Sequence, residues 1–148
     1  MRAQAASGRV AMAVLLAAPE RSRAHAPPWR VVLVDDTEDL RFILRRLLHA
    51  AGSFKVEAEA DNGAAAIDVA RRVQPDLLLL DLLMPVMDGW QALPEIRRAS
   101  PETKIVVVSG QDKRVMESRA LSLGASAYIE KGMASSDIIA TLRRVMAG

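Results

Sequence analysis

The stretch that decides the fold is residues 77–89, which read LLLLDLLMPVMDG. Leu77–Leu80 form a continuous apolar run, which is typical of a strand buried on both faces of a sheet. A carboxylate is costly to place at the end of such a strand unless it has a task there. We therefore expect Asp81 to do chemistry at the open tip of this strand.

Three other apolar runs also deliver a polar group at or just past the carboxyl end of a predicted strand. This repetition is the main indication of function, because the carboxyl ends of parallel strands meet at one edge of a sheet. The groups are Asp35 and Asp36 after Val31–Val34, Ser109 after Ile105–Val108, and Lys131 after Ala127–Glu130.

The segments between these strands have helical spacing. Apolar residues from Leu40 to Leu48 recur at i, i+3, i+4, i+7 and i+8, which predicts an amphipathic helix ending near Gly52. Further helices are predicted up to Val73, over Trp90–Ala99 with Pro94 near its first turn, over Asp112–Leu123, and after a cap at residues 135–137. The predicted strands are Arg30–Val34, Phe54–Ala60, Leu77–Leu80, Lys104–Val108 and Ala127–Glu130.

Strict alternation of strands and helices predicts an α/β fold, a doubly wound five-stranded parallel sheet with helices on both faces. The second strand is half polar, since Phe54, Val56, Ala58 and Ala60 alternate with polar residues, and this suits an edge position. The flavodoxin-like order 2-1-3-4-5 meets that condition. Its switch point lies between strands 1 and 3, where the acidic residues after both strands would meet.

Composition narrows the function. The chain has 148 residues, 51% of them hydrophobic, and no cysteine, which excludes disulfides and thiolate chemistry. No apolar stretch reaches the roughly 18 residues of a membrane span. The sequence pI of 9.4 comes from the first 30 residues, which carry a net charge of +4, whereas the remainder carries −2. We therefore expect no direct nucleic-acid binding and no membrane association.

Residues 1–29 have no sustained helical or strand period and are expected to be a disordered extension, with residues 30–148 forming one domain. A secretory signal is one alternative, because Arg2 and Arg9 precede the apolar segment Val10–Ala18. That segment is short and is followed by charged residues. A functional basic arm is the other alternative.

The polar groups at the strand ends suggest phosphoryl transfer. Carboxylates crowded into one crevice repel each other and need a cation, and a set of oxygen ligands suits Mg²⁺. Lys131 adds a fixed positive charge and Ser109 a hydroxyl. In such a site Asp81 would attack phosphorus, while the metal and the lysine neutralise charge on the phosphoryl oxygens.

Over Arg30–Gly148 the sequence resembles the receiver domain of two-component response regulators. Each matching motif is weak alone, but together they occur in order at the ends of the predicted strands. They are the acidic pair Asp35-Asp36, Asp81, the turn Met84-Pro85-x-x-Asp88-Gly89, Ser109-Gly110, Tyr128 and Lys131.

The resemblance implies that Asp81 accepts a phosphoryl group from the phosphohistidine of a sensor kinase or a phosphotransfer protein. Asp35, Asp36, Asp81 and the backbone carbonyl of Leu83 would bind Mg²⁺, with Asp35 acting mainly through water. Phosphate on Asp81 would draw Ser109 inward. Together with Lys131 it would complete the catalytic set.

The resemblance also implies a switch in which Tyr128 rotates from an exposed to a buried position. Output would pass through the face formed by helix 4, strand 5 and helix 5, to an effector protein or a homodimer formed on phosphorylation. We expect a cytoplasmic location and no enzymatic activity beyond the chain's own phosphorylation and dephosphorylation. Leu83 and Gln111 lie where the family tunes dephosphorylation. Gly132 follows Lys131 where many members have proline.

Three alternatives compete. A degenerate receiver would bind partners independently of phosphorylation. An aspartyl-phosphate phosphatase would need a second aspartate two residues after the first, where this chain has Leu83. A flavin-binding protein would need a phosphate loop after strand 1, where Asp35-Asp36-Thr37-Glu38 would repel the phosphate.

Overall fold

The computed structural model describes residues 26–148, which form five strands and five helices in alternation. The strands are β1 (Trp29–Val34), β2 (Phe54–Ala60), β3 (Leu77–Leu80), β4 (Lys104–Ser109) and β5 (Ala127–Glu130). The helices are α1 (Glu38–Ala51), α2 (Gly63–Val73), α3 (Gly89–Ala99), α4 (Lys113–Ser122) and α5 (Ser135–Ala147).

The strands form one parallel sheet in the order β2-β1-β3-β4-β5. The predicted fold class and strand order are therefore confirmed. Every residue of β3 is buried, as expected for a central strand covered on both faces. β2 and β5 are the two edges of the sheet.

Successive residues of a strand point to opposite faces, and two hydrophobic cores result. On one face Leu79 packs in a cluster with Leu48 of α1 and Leu142 of α5. On the other face Leu80 packs in a cluster with Leu93 of α3, which also includes residues of α2 and α4. This layering confirms that helices cover both faces, and it leaves the carboxyl edge of the sheet open.

The edge strand β2 does not present the single apolar face that its alternation predicts. Phe54 and Val56 pack in the core beneath α1 and α5, whereas Ala58 and Ala60 belong to the opposite core. The cause is a register shift, since Val56 and Ala58 pair with consecutive residues of β1 and Glu57 is left as an extra residue. Such a bulge moves the residues after it to the other face.

Two helix details also differ from prediction. Pro94 is the sixth residue of α3, beyond the first turn, so the carbonyl of Trp90 lacks its usual helical donor. The last helix is not capped by the side chains of residues 135–137, because α5 begins at Ser135 and its N-cap is Ala134, with no side-chain cap bond.

Strand β1 begins one residue earlier than the predicted strand. β1 starts at Trp29, whose side chain is buried and whose ring lies 5.4 Å from that of Phe54, centroid to centroid. The expectations for residues 1–25 lie outside the described residues. Within residues 26–148, no helix has the length and apolarity that crossing a bilayer requires.

Candidate functional site

The carboxyl edge of the sheet gathers the polar groups that follow the strands. Asp35 comes directly after β1, Asp81 after β3 and Lys131 after β5, while Ser109 is the last residue of β4. Asp35, Asp81 and Ser109 are buried, and each is only 0–4% exposed. Buried polar groups at the carboxyl edge of a parallel sheet indicate a functional site.

The predicted acidic cluster forms. Asp35, Asp36 and Asp81 each offer a carboxylate oxygen, and these oxygens lie within 4.8 Å of one another. Asp36 is exposed at the mouth of the cluster and the other two are buried. Helix capping does not explain the acidic pair, since the N-cap of α1 is Thr37 and has no side-chain cap bond.

Lys131 reaches the same cluster. Its Nζ lies 3.0 Å from Oδ2 of Asp35 and 3.3 Å from Oδ2 of Asp81. Its amide donates to the carbonyl of Ser109 at 2.7 Å, which extends the β4–β5 pairing and fixes the backbone of the lysine. Gly132 follows with a φ of +99°. Lys131 is thus directed at the acidic side chains by a turn at Gly132. Many receiver domains, which this sequence resembles, have proline at that position.

The charges of the pocket shift two pKa values. Burial, and then the negative charge of Asp35, raise the pKa of Asp81 above its ordinary 3.8, and contacts with Lys131 offset this only in part. Burial disfavours the ammonium of Lys131, but hydrogen bonds and charge contacts with Asp35 and Asp81 outweigh burial and raise its pKa. One lysine therefore does not neutralise the acids, and the pocket favours a further cation.

The loop between β3 and α3 is fixed at both ends. The amide of Gly63 donates to the carbonyl of Met87 at 2.8 Å, and the amide of Gly89 donates to the carbonyl of Leu82 at 2.8 Å. A Cβ on Gly89 would lie 2.1 Å from the carbonyl oxygen of Asp81. Gly89 is therefore required for the close approach of α3 to Asp81. The sequence indicated only a turn at this position.

Asp88 closes the same loop onto α3 with a reciprocal capping box. Its side chain accepts from the amide of Gln91 at 2.9 Å, and the side chain of Gln91 accepts from the amide of Asp88 at 3.2 Å. Leu83 lies beside the pocket, since its amide points at Oδ1 of Asp81 at 3.4 Å. The role of its carbonyl as a metal ligand stays a prediction.

The two predicted switch residues share one neighbour. Oγ of Ser109 accepts from the amide of Gln111 at 3.2 Å, and the hydroxyl of Tyr128 donates to the carbonyl of Gln111 at 2.9 Å. Tyr128 is only 1% exposed. The structure therefore holds Tyr128 in the buried position that the resemblance assigned to the phosphorylated state.

α4 buries fewer residues than any of the other four described helices. It buries only Ala120, and the carboxylate of Glu130 accepts from the amide of Lys113 at 2.5 Å, at the start of the helix. The guanidinium of Arg119 lies 4.1 Å from the centre of the Trp90 ring. A helix held by such contacts is suited to move, because it gives up little buried apolar area.

Sequence reasoning missed Arg41, which contacts the backbone of the acidic cluster. Its Nη1 donates to the carbonyl oxygen of Asp35, and its Nε donates to Glu59 at 2.9 Å. The available signal was position, because side chains in the first turns of a helix lean toward its N-terminus. Arg41 lies in α1 just after the loop that carries Asp35 and Asp36.

A doubly wound domain with an acidic pocket and a lysine at the carboxyl edge of its sheet is the arrangement expected of a receiver domain. The family model described as the response regulator receiver domain matches residues 31–143. The chain therefore belongs to the response regulator receiver family, the signal-accepting domain of two-component systems. Individual proteins of known sequence or structure are also similar to this chain.

The chemotaxis protein CheY of Thermotoga maritima is 34% identical over 116 residues, which are 78% of this chain and 96% of CheY. The nitrate/nitrite response regulator NarL of Escherichia coli K12 is 36% identical over 121 residues, which are 82% of this chain and 56% of NarL. The chain thus spans nearly all of one relative and about half of the other.

A solved structure agrees with these relatives. The signal receiver domain of the NarL response regulator of Mycobacterium tuberculosis superposes with a TM-score of 0.75 at 33% identity. The match covers 81% of this chain and 97% of that one. The fold of residues 26–148 is therefore that of a receiver domain along almost its whole length.

Proposed function

We propose that this chain is a phosphorylation-controlled signalling switch whose phosphoacceptor is Asp81. One observation carries the proposal: the carboxylate oxygens of Asp35, Asp36 and Asp81 lie within 4.8 Å of one another, with Nζ of Lys131 at 3.0 and 3.3 Å from two of these residues. A buried carboxylate beside a cation site and a fixed ammonium is suited to accept a phosphoryl group.

The reaction is a displacement at phosphorus. A carboxylate oxygen of Asp81 forms a bond to the phosphorus of a phosphohistidine, the phosphorus–nitrogen bond breaks, and the imidazole leaves with the electron pair. The product is an acyl phosphate on Asp81. The donor is a sensor histidine kinase or a phosphotransfer protein, as the resemblance implies.

The three carboxylates fit Mg²⁺, since they are hard oxygen donors that a single lysine does not neutralise. Asp35, Asp36, Asp81 and the carbonyl of Leu83 would hold the ion. When bound, Mg²⁺ supplies positive charge that screens the acids and the incoming phosphoryl oxygens. The fit rests on the donor set, and the raised pKa of Asp81, caused first by burial and then by the charge of Asp35, supports it.

Lys131 and Ser109 are assigned the remaining catalytic roles. Lys131 would exchange part of its contact with Asp81 for a phosphoryl oxygen. Ser109 accepts a bond from the amide of Gln111 and so keeps its own proton free to donate. Beyond its own phosphorylation and dephosphorylation, we assign the chain no enzymatic activity.

Output is proposed to pass through α4, β5 and α5. β5 is joined to the start of α4 by the contact between Lys113 and Glu130, and to the loop before α4 by the contact between Gln111 and Tyr128. Both partners on β5, Tyr128 and Glu130, lie within three residues of Lys131. A shift of Lys131 toward phosphate would therefore displace α4 through these contacts. An effector protein, or a second copy on phosphorylation, would read the altered face.

The test is to incubate the protein with acetyl phosphate, with and without Mg²⁺, and to measure acid-labile phosphate by mass spectrometry. We expect one phosphoryl group in the wild type, none without Mg²⁺, and none in Asp81→Asn. Asp68→Asn removes an exposed carboxylate of α2 and serves as the matched control, which should be phosphorylated normally. Transfer from a phosphorylated histidine kinase would then establish the donor.

A negative result has a defined meaning. If the folded wild type takes up no phosphate and binds no beryllofluoride in the presence of Mg²⁺, phosphorylation control is wrong. The chain would then be a degenerate receiver that binds partners independently of phosphorylation.

A further inference from the structure

The two acids at the end of β1 are held very differently. Asp35 is fixed by its amide, which donates to Ala60 at 3.1 Å, and by its carboxylate, which accepts from the amide of Thr37 at 2.8 Å and contacts Lys131. Within residues 26–148, no hydrogen bond or ion pair reaches the carboxylate of Asp36, which is exposed. The direction of Asp36 therefore depends on its backbone alone.

Arg41 holds the peptide bond that precedes Asp36. Its guanidinium donates to the carbonyl oxygen of Asp35, and the plane of that peptide sets the orientation of the Asp36 backbone. The side chain of Arg41 is only 16% exposed, so this contact competes little with water. Backbone carbonyls are strong acceptors, and a charged donor makes the bond stronger.

The guanidinium is itself anchored. Its Nε donates to Oε1 of Glu59 on β2 at 2.9 Å, and the other carboxylate oxygen of Glu59 pairs with Arg45, one turn further along α1. Arg41 thus spans from the neighbouring strand to the Asp35 carbonyl. Arg45 shares the same anchor, but within the described part of the chain no hydrogen bond or ion pair joins it to the acidic loop, which makes it a natural control.

We propose that Arg41 is a positioning residue that orients Asp36 for cation binding by fixing the Asp35–Asp36 peptide. This inference rests on the proposed function, since it assigns Arg41 to the same Mg²⁺ site. Groups that orient metal ligands from outside the ligand set affect affinity by about 10- to 100-fold. A planar guanidinium with several fixed donors suits a bridging role that a lysine cannot fill.

The sign of the effect separates positioning from charge. Arg41 is a cation near the pocket, so its loss would, on charge alone, strengthen binding of another cation. The positioning role predicts the reverse. A weaker Mg²⁺ complex in Arg41→Gln therefore has no electrostatic explanation, and Arg45→Gln reports the charge effect by itself.

The experiment titrates metal-free protein with MgCl₂ and follows backbone amide shifts by NMR, which report both affinity and folding. We expect Arg41→Gln to bind Mg²⁺ about tenfold more weakly than the wild type. Arg45→Gln should bind with unchanged or higher affinity. In metal-free Arg41→Gln, the amide of Thr37 should also exchange faster with solvent, because its loop has lost the fixed carbonyl.

A second pair of variants keeps the charge. Arg41→Lys should bind Mg²⁺ more weakly than Arg45→Lys, since an ammonium does not bridge the carbonyl and Glu59 together. Equal affinity of each Arg41 variant and its Arg45 counterpart would overturn the proposal, as would a failure of both Arg41 variants to fold, which would make the residue structural. If the wild type itself binds no Mg²⁺, the proposed function fails and this inference falls with it.

Discussion

The hydroxyl of Tyr128 donates a 2.9 Å hydrogen bond to the carbonyl oxygen of Gln111, and the ring above it is only 1% exposed. Tyr128 is the only tyrosine of the chain, so carbon-13 labelling of tyrosine gives a single ring signal. We expect this signal to be protected from a soluble paramagnetic agent before activation. Addition of Mg²⁺ and beryllofluoride should change that protection little.

A ring exposed in the unmodified protein and protected only after beryllofluoride is added would contradict this expectation. Tyr128→Phe provides a second check. It leaves the carbonyl of Gln111 without its donor and should lower the free energy of unfolding by about 1 kcal/mol in urea denaturation.

Gly89→Ala should disturb the site through the backbone. The added methyl would lie 2.1 Å from the carbonyl oxygen of Asp81 and 2.7 Å from Cα of Leu82, so α3 must move away from the phosphoacceptor. We expect a loss of about 2–4 kcal/mol in the free energy of unfolding. Gly110→Ala is the control, because a Cβ there meets nothing within 4 Å. Equal effects of the two substitutions would show that the close approach at Gly89 is unimportant.

Val86 is strained and should be improvable. It has a φ of +67°, the amide of Met87 donates to the carbonyl of Pro85 across it at 2.7 Å, and its side chain is 87% exposed. A β-branched residue in this region costs roughly 1–2 kcal/mol, and glycine loses roughly 0.5–1 kcal/mol through its flexible unfolded state. Val86→Gly should therefore raise the free energy of unfolding by about 0.5–1 kcal/mol in urea denaturation. Val86→Ile keeps the branch and should show no gain.

Asp81→Asn should stabilise the metal-free protein near neutral pH. Burial and Asp35 raise the folded-state pKa of Asp81, so the folded protein holds that proton more tightly than the unfolded chain does. The wild type therefore loses stability as pH rises from about 3.8 through the folded-state pKa, and the variant does not. Urea unfolding in a chelator at several pH values should show an advantage that grows across this window and then levels. An advantage greatest at the lowest pH would contradict the shift.

Gly132→Pro should harm the domain even though many receivers have proline at this position. The φ of Gly132 is +99°, whereas proline fixes φ near −65°. The turn after Lys131 would have to rebuild, at a cost of about 2 kcal/mol or more in the free energy of unfolding. Gly132→Asn tolerates positive φ and should cost less, so a proline variant as stable as the asparagine variant would show that the turn adapts.

Much of the fold and site was predictable because the signals were local. Apolar runs marked the buried strands, and the polar residue after each run marked the carboxyl edge. The parallel topology then brought Asp35 and Asp81, which are distant in sequence, into one pocket with Lys131. Each inference used only the order of residue types along the chain.

What sequence reasoning missed depends on contacts between elements. The bulge at Glu57 is set by pairing with β1, and no residue type within β2 predicts it. The contact of Arg41 with the Asp35 carbonyl requires the positions of α1, the loop and Glu59 together. A side-chain cap was predicted for α5 because serine and aspartate often cap helices. The prediction was wrong, since Ala134 occupies the N-cap position and its side chain cannot accept a hydrogen bond.

The two borders of the sheet are poorly suited to accept a strand from another molecule. β2 carries the exposed charges Lys55 and Glu57 and is interrupted by its bulge, and β5 is only four residues long. Short, charged or bulged edges oppose strand addition. Association of two copies, or docking of an effector, is therefore expected to use helix surfaces, and concentrated preparations should resist growth into fibrils.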